Sequence, residues 1–114
     1  MEKGVNQYIL KAYGETHVIE LTREQYNTGG LAIQMITKST EYDEPWDILT
    51  TNFPGLSDPT PNATTAFVDI ENYGTFVTEG NIGTPTGVET RSGFKKYVEF
   101  DFSNLFERMG WDQE

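Results

Sequence analysis

The chain has 114 residues, of which 18 are acidic and 8 basic, so its formal net charge is -10, and it contains no cysteine. The lack of cysteine excludes disulfides, thiolate metal sites and cysteine nucleophiles, while the negative field repels nucleic-acid backbones and anionic lipid surfaces. Aromatic residues make up 13% of the chain and supply apolar surface for the one core that this length can bury. We therefore expect a single domain, residues 1–114, with no direct contact with nucleic acid or membrane.

The N-terminal part of the chain predicts a β-hairpin. Residues 8–13 and 16–21 are rich in β-branched and aromatic side chains, and the short connection at Gly14-Glu15 is typical of a hairpin turn. The polar residues 22–25 fit one turn of helix. The two glycines in residues 27–30 then predict a turn, since glycine adopts positive φ without a Cβ clash.

The central part of the chain predicts the middle of the sheet. Residues 31–37 carry apolar side chains on both faces, which favours a central strand covered on both sides. After an acidic loop at residues 39–45, residues 46–53 predict the hairpin partner of that strand. Three prolines within residues 54–62 predict a loop, because proline cannot donate to a sheet ladder.

A strand, a helix and a turn are expected next. Residues 66–70 predict a short buried strand. Asn72 is a suitable N-cap for a helix that continues over residues 74–79. Residues 83–87 place two glycines around a proline, a pattern that predicts a defined turn.

The C-terminal part alternates cleanly between apolar and polar side chains over residues 97–102, which predicts a strand with Val98, Phe100 and Phe102 facing the core. Ser103 is a suitable cap for a short helix over residues 104–109. The elements together predict an α+β fold dominated by strands, with a mostly antiparallel sheet of about five to six strands and one or two short helices.

Catalytic and cofactor sites lack support in the sequence. His17 is the only histidine, and its neighbours on the predicted strand supply neither a nucleophile nor a second metal ligand, so we expect a surface or hairpin-edge residue. Asp69 and Glu71 are close enough to share a hard cation such as Mg²⁺, a spacing that is common by chance. Residues 80–83 lack the lysine and hydroxyl of a phosphate loop. We expect no metal, no cofactor and no enzymatic activity.

An acidic and aromatic cluster is the candidate site for binding a partner. Four carboxylates lie within seven residues, with two aromatic side chains between them: Glu41, Tyr42, Asp43, Glu44, Trp46 and Asp47. Alternate side chains on a strand stand about 6.6 Å apart, comparable with neighbouring phosphates along a nucleic-acid strand. Two interpretations follow: a solvated hairpin loop, which runs of charge usually are, or a carboxylate array that imitates a nucleic-acid backbone.

Several segments, taken in order and spacing, resemble a small bacterial domain family of unknown function that is met in conjugative elements and prophages of Gram-positive bacteria. The matching segments are Gly30-Leu31-Ala32-Ile33-Gln34, Glu44-Pro45-Trp46, Leu49-Thr50, Asn52-Phe53-Pro54, Ala66-Phe67-Val68-Asp69, Gly83-Thr84-Pro85-Thr86-Gly87 and Ser92-Gly93-Phe94. The resemblance implies a protein of a mobile element or phage. It implies no functional residues.

The location expected from the sequence is the cytoplasm. Residues 1–6 carry charges of both signs with no apolar run after them, and no stretch approaches the ~20 apolar residues of a membrane span. The excess of acidic residues serves solubility in one interpretation and attracts a basic partner surface in the other.

We expect a non-enzymatic acidic interaction protein of a phage or mobile element that binds a basic protein, with inhibition of a host defence nuclease by nucleic-acid mimicry as one form of this function. The alternative is a small structural or assembly protein, for example a homodimer, that self-associates through strand edges or through the C-terminal aromatic segment with Phe106 and Trp111. A hydrolase that uses Asp69 and Glu71 is a third hypothesis, and it predicts stabilisation by a metal ion.

Overall fold

A computed structural model describes residues 7–12, 14–26, 29–38, 43–53, 55–60 and 63–111. These residues form, in chain order, β1 (Tyr8–Ala12), β2 (Glu15–Gln25), β3 (Leu31–Thr37), β4 (Glu44–Ile48), β5 (Thr50–Thr51), β6 (Thr65–Asp69), α1 (Ile70–Glu79), β7 (Thr84–Ser92), β8 (Lys95–Asp101) and α2 (Ser103–Met109). The predicted α+β class is confirmed. All of these strand pairings are antiparallel, but the strands are divided between two sheets, with the orders β1-β2-β3-β4 and β5-β6-β8-β7.

The predicted N-terminal hairpin is present, with β1 and β2 paired antiparallel. The helical turn predicted for residues 22–25 is wrong, because β2 continues to Gln25 and these residues pair with β3. Pairing with a neighbouring strand outweighs the weak local preference of a polar segment.

The predicted turn before β3 contains two glycines with positive φ, 92° at Gly29 and 96° at Gly30. A Cβ at Gly29 would lie 2.1 Å from the carbonyl oxygen of Pro59, so the close approach of the two backbones requires glycine. The other two residues of this turn, Asn27 and Thr28, lie outside the described residues.

β3 has the predicted bounds. The side chains of Leu31, Ile33 and Met35 are buried on one face, which we call the inner face of the first sheet. On the other face Gln34 and Ile36 are only half-buried. The expectation that both faces are covered is therefore met fully on one side only.

The hairpin partner predicted over residues 46–53 is divided between the two sheets. β4 pairs with β3, a bend follows at Leu49, and β5 pairs with β6. Leu49 and Thr50 are buried, and the Thr50 hydroxyl accepts a hydrogen bond from the Ile33 amide at 3.3 Å. Because this crossing depends on tertiary contacts, no local pattern indicated it. Of the predicted acidic loop, residues 39–42 lie outside the described residues, while Glu44 and Pro45 belong to β4.

β6 agrees closely with the strand predicted over residues 66–70, and α1 follows it directly. The predicted N-cap, Asn72, is wrong. The cap is Asp69, whose carboxylate accepts a hydrogen bond from the backbone amide of Glu71 at 3.1 Å. A carboxylate at this position satisfies a free amide of the first turn, which lets the helix start earlier than predicted.

The turn predicted at residues 83–87 is wrong, because β7 begins at Thr84. β7 is an edge strand, where a proline without an amide donor is tolerated. The register shifts between Pro85 and Glu89, and Gly87 within this bulge has a φ of 99°. Glycine and proline therefore mark an irregular edge strand here.

The predicted C-terminal strand and helix are both present. Phe100 and Phe102 are buried and Val98 packs against the core. Ser103 does not act as a side-chain cap for α2; its amide and hydroxyl donate to the Asp101 carboxylate at 2.9 and 2.6 Å.

The main core joins the inner face of the first sheet to one face of the second sheet and to both helices. Its largest fully buried members include Ile19, Leu21, Ile33, Met35, Val68, Val77, Ile82, Phe102 and Leu105. Neither helix in the described part of the chain has the length and apolar character needed to span a bilayer.

Candidate functional site

Four of the six residues of the predicted acidic cluster lie on or beside β4. Glu41 and Tyr42 lie outside the described residues. Asp43 is exposed and pairs with the Lys38 ammonium at 2.6 Å. The hydrogen bond that the Lys38 ammonium donates to Asp43 raises the pKa of Lys38 above its ordinary value. This carboxylate is therefore balanced locally by a cation of its own chain.

A β-bulge at Trp46 controls where the β4 carboxylates point. Glu44 pairs with Thr37 and Asp47 with Met35, so three steps along β4 match two along β3. Because Thr37 and Met35 share the inner face, Glu44 and Asp47 also share it. Two strand residues of rise separate them by about 6.8 Å. In a regular strand, side chains three residues apart would point to opposite faces.

The bulge also turns the Trp46 ring across the inner face of the first sheet. The ring is half-buried and lies 4.5 Å from the His17 imidazole, centroid to centroid, at an interplanar angle of 43°. Nε2 of His17 is 3.5 Å from a carboxylate oxygen of Glu15. His17 was expected as a surface or hairpin-edge residue; it lies in the β1–β2 hairpin, paired with Leu10, and with 21% of its side chain exposed it is mostly covered.

The first turn of α1 adds polar groups opposite β4. Glu71 is exposed in this turn. The Tyr73 hydroxyl donates to one carboxylate oxygen of Asp47, and the other oxygen accepts from the Ile48 amide. Asp47 therefore links β4 to the first turn of α1.

These side chains surround a groove of about 510 Å³, which we call the acidic groove. It is lined by Leu10, Lys11, Trp46, Asp47, Glu71, Asn72 and Tyr73. The lining brings two of the residues predicted from the sequence, Trp46 and Asp47, together with residues from β1 and α1. The sequence indicated Glu71 only as a metal-binding partner of Asp69, and it did not indicate Tyr73 as a site residue. The position of Tyr73, an aromatic residue one turn after the N-cap of α1, is the sequence signal that could have identified it.

Asp69, the other half of that pair, has a structural role. One carboxylate oxygen accepts from the Lys95 ammonium at 2.8 Å and from the Asn72 side-chain amide at 3.0 Å, while the second oxygen caps α1. The hydrogen bond that the Lys95 ammonium donates to Asp69 raises the pKa of Lys95. Among the described residues, no group of three or more histidine, aspartate or glutamate side chains is placed to hold a metal ion.

The C-terminal aromatic segment contributes little surface. Phe106 is 3% exposed and packs between the Arg23 guanidinium at 5.0 Å and the Trp111 ring at 5.4 Å. Trp111 is half-buried in turn. Self-association through Phe106, which was one form of the alternative hypothesis, would require this packing to open.

The comparison with known families gives one result. Residues 19–111 match a family described as Domain of unknown function (DUF4313). The chain belongs to this family. The match starts inside β2 and ends just after α2, so it contains β3 to β8 and both helices. It confirms the resemblance to a small domain of unknown function. No curated protein and no solved structure matches the chain.

Proposed function

We propose that this chain is a non-enzymatic interaction protein that binds a basic protein partner through the acidic groove. The net charge of -10 supports a basic partner, because the long-range field attracts it before contact. The predicted contacts Asp43 and Glu44 stand beside the groove on the same strand or next to it. Glu41 and Tyr42 belong to the same proposed surface by sequence position.

The observation that carries the proposal is the convergence of two carboxylates and two aromatic rings in one concavity. Asp47 and Trp46 come from the β4 bulge, and Glu71 and Tyr73 come from the first turn of α1. Arginine suits such a lining best, because its planar guanidinium stacks on an aromatic ring while it bonds a carboxylate with two N–H groups.

The energies of these contacts indicate how large the partner surface must be. An exposed cation–π contact contributes about 0.5–1 kcal/mol, and an exposed ion pair contributes about 0.2–1 kcal/mol. One arginine in the groove is therefore worth only a few kcal/mol at most. Stable binding therefore requires several basic side chains of the partner, some in contact with Glu44 and Asp43 and others in the groove.

The spacing of Glu44 and Asp47 supports a particular kind of partner. Their separation of about 6.8 Å along β4 is comparable with the distance between neighbouring phosphates on a nucleic-acid strand. A protein that binds a nucleic-acid backbone neutralises its phosphates with lysine and arginine, so a matching carboxylate spacing would suit such a partner. The resemblance to domains of conjugative elements and prophages supplies a setting, the bacterial cytoplasm, in which inhibition of a host defence nuclease would be useful to a mobile element.

The test is an affinity pull-down with the full chain from a Gram-positive bacterial lysate at low and moderate salt, followed by affinity measurements on the protein recovered. A triple variant, Glu44→Gln with Asp47→Asn and Glu71→Gln, should lower affinity about tenfold or more and flatten its salt dependence.

A matched control removes the same amount of charge elsewhere: Glu24→Gln, Glu89→Gln and Glu107→Gln, all at exposed positions. It should change affinity by no more than about twofold, because long-range charge acts mainly on the association rate. Equal losses in both triple variants would show that net charge alone attracts the partner, and would contradict a specific acidic groove.

A further inference from the structure

The outer edge of β1 presents backbone groups that the rest of the described chain does not use. The Val18 carbonyl accepts a hydrogen bond from the Lys38 amide at 3.0 Å, so the backbone groups of Val18 point to β3. Ile9 is paired with Val18 in the register of β1 and β2. Its N–H and C=O must therefore point away from β2, and by alternation those of Lys11 do so too. Within the described ranges, no other backbone group bonds to them.

The other three sheet edges are interrupted or short. β4 contains Pro45 and the bulge at Trp46, and β7 contains Pro85 and a second bulge. β5 has only two residues. Prolines, bulges and shortness are the usual devices that prevent another strand from adding to an edge. β1 has five residues in unbroken register with no proline, so among the described strands it is the edge with neither proline nor bulge, and the exposed Lys11 is its one charged residue.

A second groove runs along this open edge. It has a volume of about 510 Å³ and is lined by residues 7–11 on one side and by Asn72, Thr75, Phe76, Glu79 and Gly80 on the other. The four of these residues that belong to α1 follow the spacing i, i+3, i+4 and i+7, so they form one face of the helix. The groove is therefore bounded by a strand edge and a helix face, and its volume is within the range of about 300–1,000 Å³ for ligand sites.

The floor of this β1–α1 groove is already packed. The rings of Tyr8 and Phe76 meet edge to face at 6.4 Å, and both side chains are buried. This contact holds β1 and α1 at a fixed separation. A ligand in the groove would therefore meet a preformed wall on one side and free hydrogen-bonding groups on the other.

We propose that the β1–α1 groove binds an extended peptide segment of another protein, which adds to the first sheet as a fifth strand. The N–H and C=O groups of Ile9 and Lys11 supply up to four backbone hydrogen bonds to it, in the mode known as β-augmentation. This site is separate from the acidic groove, although the two share Leu10, Lys11 and Asn72 where they meet.

The lining indicates the chemistry of the peptide. Side chains of an added strand alternate between two faces. On the outer face they would lie beside Ile9, which is 55% exposed, so an apolar residue is favoured there. On the inner face they would meet Thr75 and the helix backbone, where small side chains fit. A lysine or arginine near Glu79 would complement its charge.

A second copy of this chain is a poorer occupant. Pairing two β1 strands around a twofold axis would bring both α1 helices to the same face at the seam, since each helix walls its own groove. Glu79 of each copy would then approach the other, and both copies carry a net charge of -10. A free segment without a covering helix avoids both problems.

The experiment selects peptides from a random heptapeptide display library on the immobilised full chain and measures their affinity for three proteins. Ile9→Pro removes the outward amide and should weaken binding about tenfold or more. Ile9→Thr keeps the amide and the β-branched shape, and should stay within about threefold. The acidic-groove triple variant should bind the peptides normally, which separates this proposal from the proposed function.

Methylation of single backbone nitrogens in a selected peptide provides a second measurement on the unaltered chain. Only alternate positions should weaken binding, because only alternate amides of an added strand face β1. Failure to enrich any peptide, equal loss with Ile9→Pro and Ile9→Thr, or methylation effects without alternation would overturn the proposal. So would a wild-type dimer in sedimentation that Ile9→Pro dissociates, since the occupant would then be a second copy.

Discussion

β1 and β7 are edge strands of different four-stranded antiparallel sheets, and the two edges differ in regularity. β7 has nine residues, yet Pro85 and a bulge interrupt its register with β8. β1 is shorter and regular, and α1 runs beside it across an open groove. Because an exposed regular edge pairs readily with another strand, the difference indicates that the irregular β7 edge resists strand addition and that the regular β1 edge permits it beside α1.

The same contrast separates two kinds of binding surface on the first sheet. At β4 the bulge shifts the register with β3 and places Trp46 and Asp47 in the acidic groove. At β1 the backbone is regular, and its N–H and C=O groups rather than its side chains supply the proposed contacts. The β4 edge therefore offers charge to a folded basic surface, and the β1 edge offers backbone hydrogen bonds to an extended segment.

The largest expected effect comes from the residue that anchors the regular edge. Leu10 is 3% exposed on the inner face of β1, so Leu10→Ala should lower the free energy of unfolding by about 2–5 kcal/mol through lost burial and a cavity. Ile9→Ala, on the outer face of the same strand, should cost within about 0.5 kcal/mol. Urea unfolding of both variants makes the comparison. Equal losses would contradict the assignment of inner and outer faces in β1.

A smaller effect is expected at the helix that walls the β1–α1 groove. Asp69→Ala removes the N-cap of α1 and the partner of Lys95, and should cost about 1–2 kcal/mol in thermal or urea unfolding. Asp69→Asn keeps a capping oxygen while it removes the charge, so its loss should be smaller. If the asparagine variant lost as much as the alanine variant, the ion pair rather than the cap would fix the start of α1.

The smallest effect concerns the pH range in which Lys95 supports this cap. Its hydrogen bond to Asp69 raises the pKa of Lys95 above the ordinary value of 10.5. A group whose pKa is raised by folding stabilises the fold at pH below its unfolded pKa, and this contribution disappears as the pH rises through the folded pKa.

The melting temperatures of the wild type and of Lys95→Gln should therefore differ by a constant amount from neutral pH up to pH 10.5 and converge above it. A constant difference through the alkaline range would show that the methylene chain, not the charge, stabilises the contact.

Elements that depend on residues close in the sequence were predicted more accurately than elements that depend on distant contacts. β3, β6 and α2 were predicted closely because alternation or helical spacing of apolar residues identifies a buried face within a few residues. β7 was missed because glycine and proline usually mark turns, and only its edge position makes them tolerable in a strand. The extension of β2 through Thr22 to Gln25 depends on pairing with β3, and the local sequence preference of these residues does not indicate that pairing.

The candidate site was only half predictable for the same reason. Trp46 and Asp47 stood out as part of an acidic and aromatic run, but the sequence suggested regular alternation, and the bulge changed which carboxylates share a face. Glu71 and Tyr73 join them only because α1 folds back over the first sheet. Side-chain patterns in the sequence did not predict the open edge of β1, since the edge consists of backbone groups and depends on the order of strands in the sheet.

Amide hydrogen exchange along β1 tests the central claim most directly. In the free chain the amides of Ile9 and Lys11 should exchange rapidly while the Leu10 amide, which bonds to β2, is protected. Addition of a selected peptide should protect Ile9 and Lys11 about tenfold or more, with little change at Leu10. Equal protection of the three amides in the free chain, or no gain with bound peptide, would contradict an open edge that accepts a strand.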